Sequence, residues 1–494
     1  MSYDELFTNV AALAVFVLVL LLFVLRSTSR PAHLPPGPTP WPLIGNFPSL
    51  RGDLFTALQK LRSMYGDVYL LYMGSMPTVF VHDLDNIREV LVTRGDEFAD
   101  RPNLMIAEKI SKGKGVANTS GEVWKQQRRY TLHTLRDFGV GKSSLEQKVM
   151  EEVEVLIQCL RDTGGDTFPM GKLLHTSVSN VICSIVFGNR FEHEDPKFVK
   201  YMKAIDENIE SVGFAGPINF LPWLKYIPGD FFKYHRTLRN VDMVEAFILD
   251  EIKSHKETLD PDEPRDFIDA YLSEIARCQD DENSTFEDEQ LLKVIGDLFV
   301  AGTETSATTL RWALFYMINY PDVQTKVRAE IHSVIGRGRF PTMADRKQMP
   351  YMEATLMEVQ RCGDVAPLGV PHAASRNTSL AGYVIPKGTT VITVFSSLHS
   401  DPNIWKNPKM FDPSRFLDSD GNVIKCESLL PFSAGKRVCL GESLARMELF
   451  LFLTSMLQRF VFKAPKGMTS LPEERLLGLT QSPVPYELRA LFDE

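Results

Sequence analysis

One cysteine of this chain sits in a setting that favours a metal-bound thiolate. Cys439 lies in FSAGKRVCLG, residues 432–441, where glycines flank a turn that leads into a helix. A thiol has an ordinary pKa of about 8.5 and binds metal as its anion, which Arg437 and the helix-opening amides of residues 440–442 would both favour. Gly435 permits a turn with positive φ, and Gly441 lets a flat ligand approach the backbone closely, so the pieces suit a haem iron.

A second candidate for chemistry is the apolar helix DLFVAGTETSATTLRW, residues 297–312. An unpaired carboxylate in such a setting costs free energy, so Glu304 needs an explanation. We expect the helical ladder to be interrupted near Gly302, which leaves room for a small diatomic ligand and water. Thr305 would then be a hydrogen-bond donor and Glu304 the link to bulk protons. In the alternative, Glu304 points to solvent and the threonines donate to carbonyl groups one turn earlier.

Three charged residues form a candidate structural cluster. Glu358 and Arg361 are three apart in MEVQR, a spacing that alone gives only an ordinary helical ion pair. Arg415, in FDPSRF, precedes Cys439 by 24 residues and adds weight to that pair.

The cysteine turn carries a family resemblance. Phe432, Gly435, Arg437, Cys439 and Gly441 fill every fixed position of F-x-x-G-x-R-x-C-x-G, the haem-binding signature of cytochromes P450. Five residue types at fixed offsets rarely match by chance, which argues against a merely structural cysteine at a helix start. The resemblance implies Cys439 as the iron ligand of haem b, with Phe432, Arg437 and Gly441 also binding the cofactor.

The other two clusters resemble further elements of that family. AGTET is similar to the oxygen-activation motif A-G-x-x-T and its acid–alcohol pair, which implies Glu304 and Thr305 as catalytic residues. Glu358, Arg361 and Arg415 match the E-x-x-R and P-x-R-F elements, which lock together to hold the cysteine turn.

The resemblance also implies contacts to the two haem propionates and to substrate. The implied propionate ligands are Arg101, Trp124, Arg128, His372 and Arg437. The implied substrate pocket consists of Ala117, Asn118, Ala301, Ala366, Val370 and Leu479.

The resemblance implies an activity and its partners. It is that of a microsomal animal family 2 cytochrome P450, and PPGPTPWPLIGNF, WKQQRRYTLHTLRDFGVGK and QMPYMEATLMEVQR look closest to a fatty-acid-hydroxylating branch. Such an enzyme inserts one oxygen atom of O₂ into C–H bonds of a lipophilic fatty acid, steroid or xenobiotic. Electrons come from NADPH through NADPH-cytochrome P450 reductase, with cytochrome b5 as a second candidate partner. The alternatives are a haem-thiolate isomerase or peroxygenase, and a non-catalytic haem or sterol binder.

Charge and cysteine usage limit the other possibilities. The formal net charge is -9, and we expect no nucleic-acid partner. A cationic group, Lys125, Arg129, His133, Arg136, Lys436 and Arg446, nevertheless predicts a docking face for an acidic reductase. The six cysteines show no pairing rhythm and no CxxC spacing, which indicates free thiols in a reducing compartment and no zinc site.

The N-terminal segment predicts a membrane anchor. Residues 10–25 are an unbroken apolar run, and with residues 6–9 they reach the roughly 20 residues that span a bilayer. Asp4 and Glu5 precede the run, the reverse of a signal peptide, and Arg26 and Arg30 follow it. We therefore expect an uncleaved anchor over residues 1–30, a proline-rich hinge over 31–45 and a haem-thiolate monooxygenase domain over 46–494. The protein would be a single-pass endoplasmic reticulum protein with a cytosolic catalytic domain.

The remaining pattern predicts a mainly α fold of the α+β class with the cytochrome P450 architecture. Helical periodicity covers residues 143–160, 236–259 and 288–320. A hairpin is predicted over residues 68–81, and two short strands are predicted over residues 383–395. Residues 213–232 are apolar and aromatic, but prolines and glycines interrupt them. We expect them to form either a connection packed against the core or a segment that lies against the bilayer beside the substrate entrance.

Overall fold

The computed structural model describes residues 9, 15, 17, 18, 33–139, 143–211 and 216–493. Apart from four positions, the predicted anchor over residues 1–30 lies outside the described residues, as do residues 31 and 32 of the predicted hinge. None of the helices within the described ranges combines the length and the apolar character needed to cross a bilayer.

Helices make up most of the described chain. The longest, α10 (Asp288–Asn319), has 32 residues and carries acidic side chains in its first turn, where negative charge stabilises a helix. In chain order the others are α1 (Leu54–Tyr65), α2 (Leu84–Arg88), α3 (Met105–Ser111), α4 (Gly121–Asp137), α5 (Ser143–Asp162), α6 (Met170–Val186), α7 (Pro196–Ser211), α8 (Tyr234–Thr258), α9 (Phe267–Arg277), α11 (Pro321–Val334), α12 (Pro350–Gly363), α13 (Phe395–His399) and α14 (Glu442–Arg459).

Helix α10 crosses the core, and α6 packs closely against it. A Cβ atom at Gly302 would lie 2.5 Å from Cδ1 of Ile182, so glycine at this position permits the close approach of the two helices. The helix is α-helical through this point, and the interruption predicted near Gly302 is therefore wrong. The small residue serves helix packing instead of weakening the ladder.

The strands form small sheets around the helical core. The main sheet has the order β1-β2-β7-β4, with β1 and β2 antiparallel, β2 and β7 parallel, and β7 and β4 antiparallel. A second sheet has the order β3-β11-β8, and β5–β6 and β9–β10 are antiparallel pairs. The strands are β1 (Val68–Met73), β2 (Met76–Val81), β3 (Thr167–Pro169), β4 (His372–Ala373), β5 (Thr378–Leu380), β6 (Tyr383–Ile385), β7 (Thr390–Thr393), β8 (Phe460–Lys463), β9 (Arg475–Leu477), β10 (Gln481–Pro483) and β11 (Glu487–Phe492).

The predicted elements and fold class are confirmed. The strand pair predicted over residues 68–81 is the β1–β2 hairpin, and β6 and β7 occupy residues 383–393. The three predicted helices are α5, α8 and α10. One large hydrophobic core joins α5, α6, α9, α10 and α14, and smaller cores lie under the main sheet.

Candidate active site

The cysteine turn is fixed by backbone geometry. Ser433 and Gly435 both have positive φ, and a short 3₁₀ turn, Gly435–Arg437, precedes the cysteine. A Cβ at Gly435 would lie 1.7 Å from the carbonyl oxygen of Leu91, so only glycine fits against that segment. The Cys439 amide donates to the Phe432 carbonyl at 2.9 Å, which closes the turn just before α14 begins.

The side chain of Cys439 is accessible, although protein atoms surround most of its thiol group. Burial raises the pKa of this thiol, while the Gly441 amide and the charge of Arg128 oppose the shift. A thiolate at this position therefore needs a further cation, and a bound metal ion supplies one. Beside Gly441 the space that a Cβ would enter is open, which fits the approach of a flat ligand.

The cation that approaches the sulfur is not the predicted one. Arg437 turns away from Cys439: its Cζ lies 3.8 Å from the centroid of the Trp124 ring, and it donates to the Ala99 and Thr119 carbonyls at 2.8 and 2.6 Å. Arg128 lies near the thiol instead and donates to the Val438 carbonyl at 2.6 Å.

Arg437, Arg101 and Arg128 form a set of neighbouring guanidinium groups, the cationic cluster. Burial and mutual repulsion lower the pKa of Arg437 to about 8, and burial and Arg128 lower that of Arg101 to about 10. Arg101 donates to carbonyl groups of Ala117, Val370 and Pro371 at 2.7 to 3.1 Å. Within the described ranges, none of the three arginines forms an ion pair with a carboxylate. The cluster thus holds buried positive charge that an anionic ligand would balance.

Two predicted propionate ligands near this cluster, Trp124 and His372, differ in whether they have a free hydrogen-bond donor. The indole Nε1–H of Trp124 is buried and lacks a hydrogen-bond partner in the described part of the chain, so it is a donor available to an anion. His372 shares a hydrogen bond of 2.8 Å with the Phe98 carbonyl through Nδ1, and burial with the nearby Arg101 lowers its pKa to about 3. The neutral ring donates through Nδ1 and would donate to a propionate only if that carboxylate raised its pKa.

One face of α10 is open. Ala301 and Thr305 are exposed, whereas Thr303, Glu304 and the residues from 306 to 310 are largely buried. Residues four apart share a helix face, so Ala301 and Thr305 line the same accessible surface. The Thr305 hydroxyl donates to the Ala301 carbonyl at 2.7 Å. This is the bond expected in the alternative in which the threonines donate to carbonyl groups one turn earlier.

Glu304 lies on another face of α10. Its Oε1 accepts hydrogen bonds from Thr308 at 2.9 Å and Thr480 at 2.7 Å. Its Oε2 lies 3.6 Å from Nε2 of His175. The structure therefore gives the two members of the predicted acid–alcohol pair different hydrogen-bond partners and does not join their side chains.

The structure brings Glu358, Arg361 and Arg415 together in a buried triad. Arg361 binds both carboxylate oxygens of Glu358, at 2.7 and 2.8 Å, and Arg415 binds Oε1 at 2.9 Å. The amide of Asp412 also donates to Oε1, at 2.9 Å, so this carboxylate has four N–H donors, and the Cys362 thiol adds a fifth, weaker donor at 3.5 Å.

His399 connects this triad to the cysteine stretch. Its carbonyl accepts from Arg361 at 2.7 Å, and its Nε2 accepts from the Leu430 amide at 3.2 Å, two residues before Phe432. Its Nδ1 binds Asp364 at 2.8 Å, which fixes the tautomer with Nε2 as acceptor. Sequence reasoning missed this residue, because nothing in the spacing of a lone histidine marks it.

The predicted pocket residues are dispersed over several loops and α10. Arg101 joins two of them directly, since it donates to the carbonyls of Ala117 and Val370. Ala366 accepts from the Gly369 amide at 3.0 Å, and the Leu479 amide donates to Ile209 at 3.2 Å. Asn118, like Ala117, is half-buried, and Ala301 is exposed on the open face of α10.

Comparisons with known proteins define the class. The family model described as "Cytochrome P450" matches residues 35–490. Cytochrome P450 2C29 of Mus musculus is 45% identical over 479 residues, which cover 95% of this chain and 96% of that protein. Cytochrome P450 2C5 of Oryctolagus cuniculus is 44% identical over 467 residues, which cover 94% and 93%. Cytochrome P450 2C26 of Mesocricetus auratus is 42% identical over 483 residues, which cover 96% and 98%.

The chain belongs to the cytochrome P450 family. It is a haem-thiolate monooxygenase that uses haem b with O₂ and NADPH-derived electrons, and the predicted relationship to animal family 2 is confirmed. The residues described above fit this cofactor: an accessible thiol on a fixed turn, unbalanced guanidinium groups and an unpartnered indole N–H.

Proposed function

We propose that Cys439 binds the haem iron and that the protein hydroxylates a lipophilic substrate with electrons from NADPH through a flavoprotein reductase. The observation that carries the proposal is the pairing of an accessible thiol with three neighbouring arginines, the buried Arg437 and the half-buried Arg101 and Arg128, that form no ion pair in the described chain. Haem, when bound, supplies the activation of O₂ that no side chain can provide. The residues of the chain bind it, orient substrate and move protons.

The cationic cluster would bind the two propionates. Arg101, Arg128 and Arg437 carry charge-assisted donors, and a carboxylate partner would restore the pKa that burial has lowered. Trp124 adds a donor with no competing partner. Phe432 closes the cysteine turn through its carbonyl and holds the Arg446 guanidinium, whose Cζ lies 4.8 Å from its ring centroid.

Thr305 would position a proton donor on the open face of α10. Its hydroxyl is accessible and can exchange the Ala301 carbonyl for a ligand on that face. The buried Glu304 would supply protons to that region, after its side chain turns from its present partners or through intervening water. Thr305→Ala should retain haem but release peroxide in place of product while NADPH oxidation continues, and unchanged coupling would remove Thr305 from the mechanism.

The iron ligand is tested with a matched pair of cysteine variants. Cys439→Ser should lose the red-shifted Soret band of the reduced carbon monoxide complex, because serine offers no soft anionic sulfur. Cys426→Ser, at a half-buried free cysteine outside the site, should keep it. A Cys439→Ser protein with that band intact would refute the ligand assignment.

The reaction and its substrate class are tested together. Purified protein with reductase, NADPH and a library of fatty acids, steroids and xenobiotics should give hydroxylated products by mass spectrometry. We propose fatty acids as the first class to assay, because PPGPTPWPLIGNF and related segments resemble that branch. Product with peroxide alone would favour the peroxygenase, and rearrangement without NADPH the isomerase. Haem binding with no product would favour a binder.

We propose that the anchor over residues 1–30 and a second, apolar surface hold the protein at the endoplasmic reticulum membrane. Within residues 216–233, Ile218, Phe220 and Leu221 are buried, whereas Trp223, Tyr226 and Phe231 are 49%, 77% and 77% exposed. Exposed aromatic residues of this kind suit a membrane interface. Deletion of residues 1–30 should leave haem binding intact and membrane association partial. Full solubility without salt or detergent would count against the second contact.

Fewer cations would be available to dock a reductase than the sequence predicts, because most of them pair with neighbouring carboxylates. Lys125 pairs with Glu122 at 2.7 Å, His133 with Asp137 at 2.9 Å and Arg446 with Glu442 at 2.9 Å. Lys436 pairs with Asp96. Among the predicted cations, Arg129 and Arg136 are exposed without an ion pair inside the described ranges, so they would dominate attraction to an acidic reductase.

A further inference from the structure

A cavity of about 540 Å³ lies beside α10, and Glu304 forms part of its wall. The start of α6, the end of α7, α10 and the β9–β10 hairpin line it, and Thr305 is not among the lining residues. Lys172 and Leu477 on its rim are exposed, so solvent reaches it. Its wall mixes apolar side chains with charged and hydroxyl groups, and a cavity of this size has room for several water molecules beside those polar groups.

His175 lies in this cavity between two carboxylates. Its Nδ1 is 2.8 Å from Oδ1 of Asp206, and its Nε2 is 3.6 Å from Oε2 of Glu304. Nε2 is buried and has no hydrogen-bond partner among the residues that the structure describes. The Asp206 side chain is 48% exposed, whereas those of His175 and Glu304 are each 11% exposed. The three side chains therefore form a line from solvent to the buried acid.

The surrounding charges favour the imidazolium form. Burial alone would lower the pKa of His175, but the hydrogen bond and charge of Asp206, with the charge of Glu304, outweigh it and raise that pKa. Arg311 on α10 opposes the shift, and Lys172 on α6 and Lys233 before α8 are the other cations that line the cavity. The β9–β10 hairpin contributes the hydroxyl groups of Thr480 and Ser482.

We propose that His175 is a positioning residue of the monooxygenase, which holds the Glu304 carboxylate and relays protons to it from the solvent-filled cavity. The inference rests on the proposed role of Glu304 in proton supply. In each relay step, Nε2 of the imidazolium gives its proton to Oε2 of Glu304, which leaves a neutral imidazole and a carboxylic acid. A small rotation of the ring then exposes the buried Nε2 to cavity water, which returns a proton from bulk solvent, while Asp206 keeps its hydrogen bond to Nδ1–H.

The first test is the pH dependence of coupling, measured as product per NADPH consumed. Because the folded pKa of His175 is raised, the relay operates below that pKa, and wild-type coupling should fall as pH rises through it. His175→Gln should lower coupling on the order of tenfold at the low-pH end and should lack the falling limb. His332→Gln, at a histidine on α11 outside the cavity lining, should behave as wild type. A falling limb that persists in His175→Gln would overturn the proposal.

The second test does not depend on turnover. Asp206→Asn removes the exposed partner of His175 and should move the His175 titration to lower pH, as followed by the ¹³Cε1 histidine signals of the diamagnetic reduced carbon monoxide complex. Glu304→Gln should also move the His175 titration to lower pH. A His175 titration indifferent to both changes would overturn the proposal even if His175→Gln fails to fold.

Glu304→Gln also separates the two hypotheses. If it uncouples the enzyme while His175→Gln and Asp206→Asn do not, Glu304 supplies protons by another route and the inference about His175 is wrong. If Glu304→Gln is fully coupled, the proposed role of Glu304 fails first.

Discussion

Two groups of buried and half-buried arginines in this protein have opposite electrostatic settings. In the triad, Arg361 and Arg415 share the carboxylate of Glu358, and their other hydrogen bonds go to backbone carbonyls and, from Arg361, to Sγ of Cys362. Burial alone would lower the pKa of Arg361, but the hydrogen bond to Glu358 and the charges of nearby acidic groups, Glu358 among them, together outweigh burial and raise that pKa. In the cationic cluster, Arg101 and Arg437 donate only to carbonyls among their described hydrogen bonds, and their pKa values are lowered.

The difference separates charge that serves the fold from charge held for a ligand. The triad is complete in the polypeptide and needs nothing more to be stable. The cationic cluster is costly until an anion arrives, because buried charge without a counter-ion is destabilising. We therefore expect substitutions in the first group to affect folding, and substitutions in the second to affect haem binding.

The largest effect is expected from Glu358→Gln. It leaves the buried Arg361 without its counter-ion, which costs about 3 to 5 kcal/mol of unfolding free energy, and little folded haem protein should accumulate. Glu353→Gln is the matched control, since Glu353 lies on the same helix and pairs with Arg346 through two bonds of 2.7 Å at a less buried position. It should cost about 1 kcal/mol or less. Urea unfolding and haem content would compare them, and equal losses would contradict the triad's special role.

The second-largest effect is expected from Arg437→Met, which should change haem affinity. Loss of charge-assisted hydrogen bonds should weaken haem affinity about 10- to 100-fold. The apo-protein should be no less stable, because methionine removes an uncompensated buried charge. Haem transfer to a scavenging protein and thermal unfolding of the apo-protein would measure both quantities. Arg129→Met, at an exposed arginine of α4, is the control. A large loss of apo-protein stability would place Arg437 with the triad.

Removal of haem should sharpen the same contrast without any mutation. Amide hydrogen exchange should quicken in residues 97–101 and 116–128, where the cationic cluster repels itself in the absence of an anion. Residues 354–361 of α12 should stay protected, since the triad is balanced internally. Exchange followed by mass spectrometry would compare the two segments, and uniform loss of protection would argue against the distinction.

The smallest effect is expected at exposed cations, which serve neither the fold nor the haem. Charge reversal of Arg129 and Arg136 should slow reductase-driven turnover several-fold at low salt and spare peroxide-driven turnover. Reversal of Lys125, which Glu122 already neutralises, should do less. Equal losses in both turnover modes would mean that these residues support the haem or the fold.

The sequence was most informative where the pattern is local. Hairpin β1–β2 and helices α5, α8 and α10 follow from alternation and helical periodicity over short windows. The parallel pairing of β2 with β7, in which Thr78 lies opposite Thr390, has no local signal. Gly302 misled the prediction because a glycine that breaks a helix and one that lets another helix approach look the same in a sequence.

The candidate site shows the same division. The types of the functional residues follow from motif spacing, whereas their partners follow from three-dimensional packing. Nothing local predicts that Arg437 stacks on Trp124 while Arg128 approaches the thiol, or that His175 and Asp206 meet beside Glu304. The available hint for His175 was a titratable side chain within residues 173–186 of α6, which contain no Asp, Glu, Lys or Arg.

The contact between Gly435 and Leu91 has a consequence for biosynthesis. The cysteine turn rests on a segment 344 positions earlier in the chain (435 minus 91), and the cationic cluster likewise combines residues 101 and 128 with residue 437. A ribosome releases the N-terminal part of this surface long before Cys439 emerges, and such distant contacts form late in folding. Haem therefore cannot be captured in its final setting until the cysteine turn has emerged. Its insertion belongs to the interval after that point, when a nearly complete apo-protein must stay open enough to receive it.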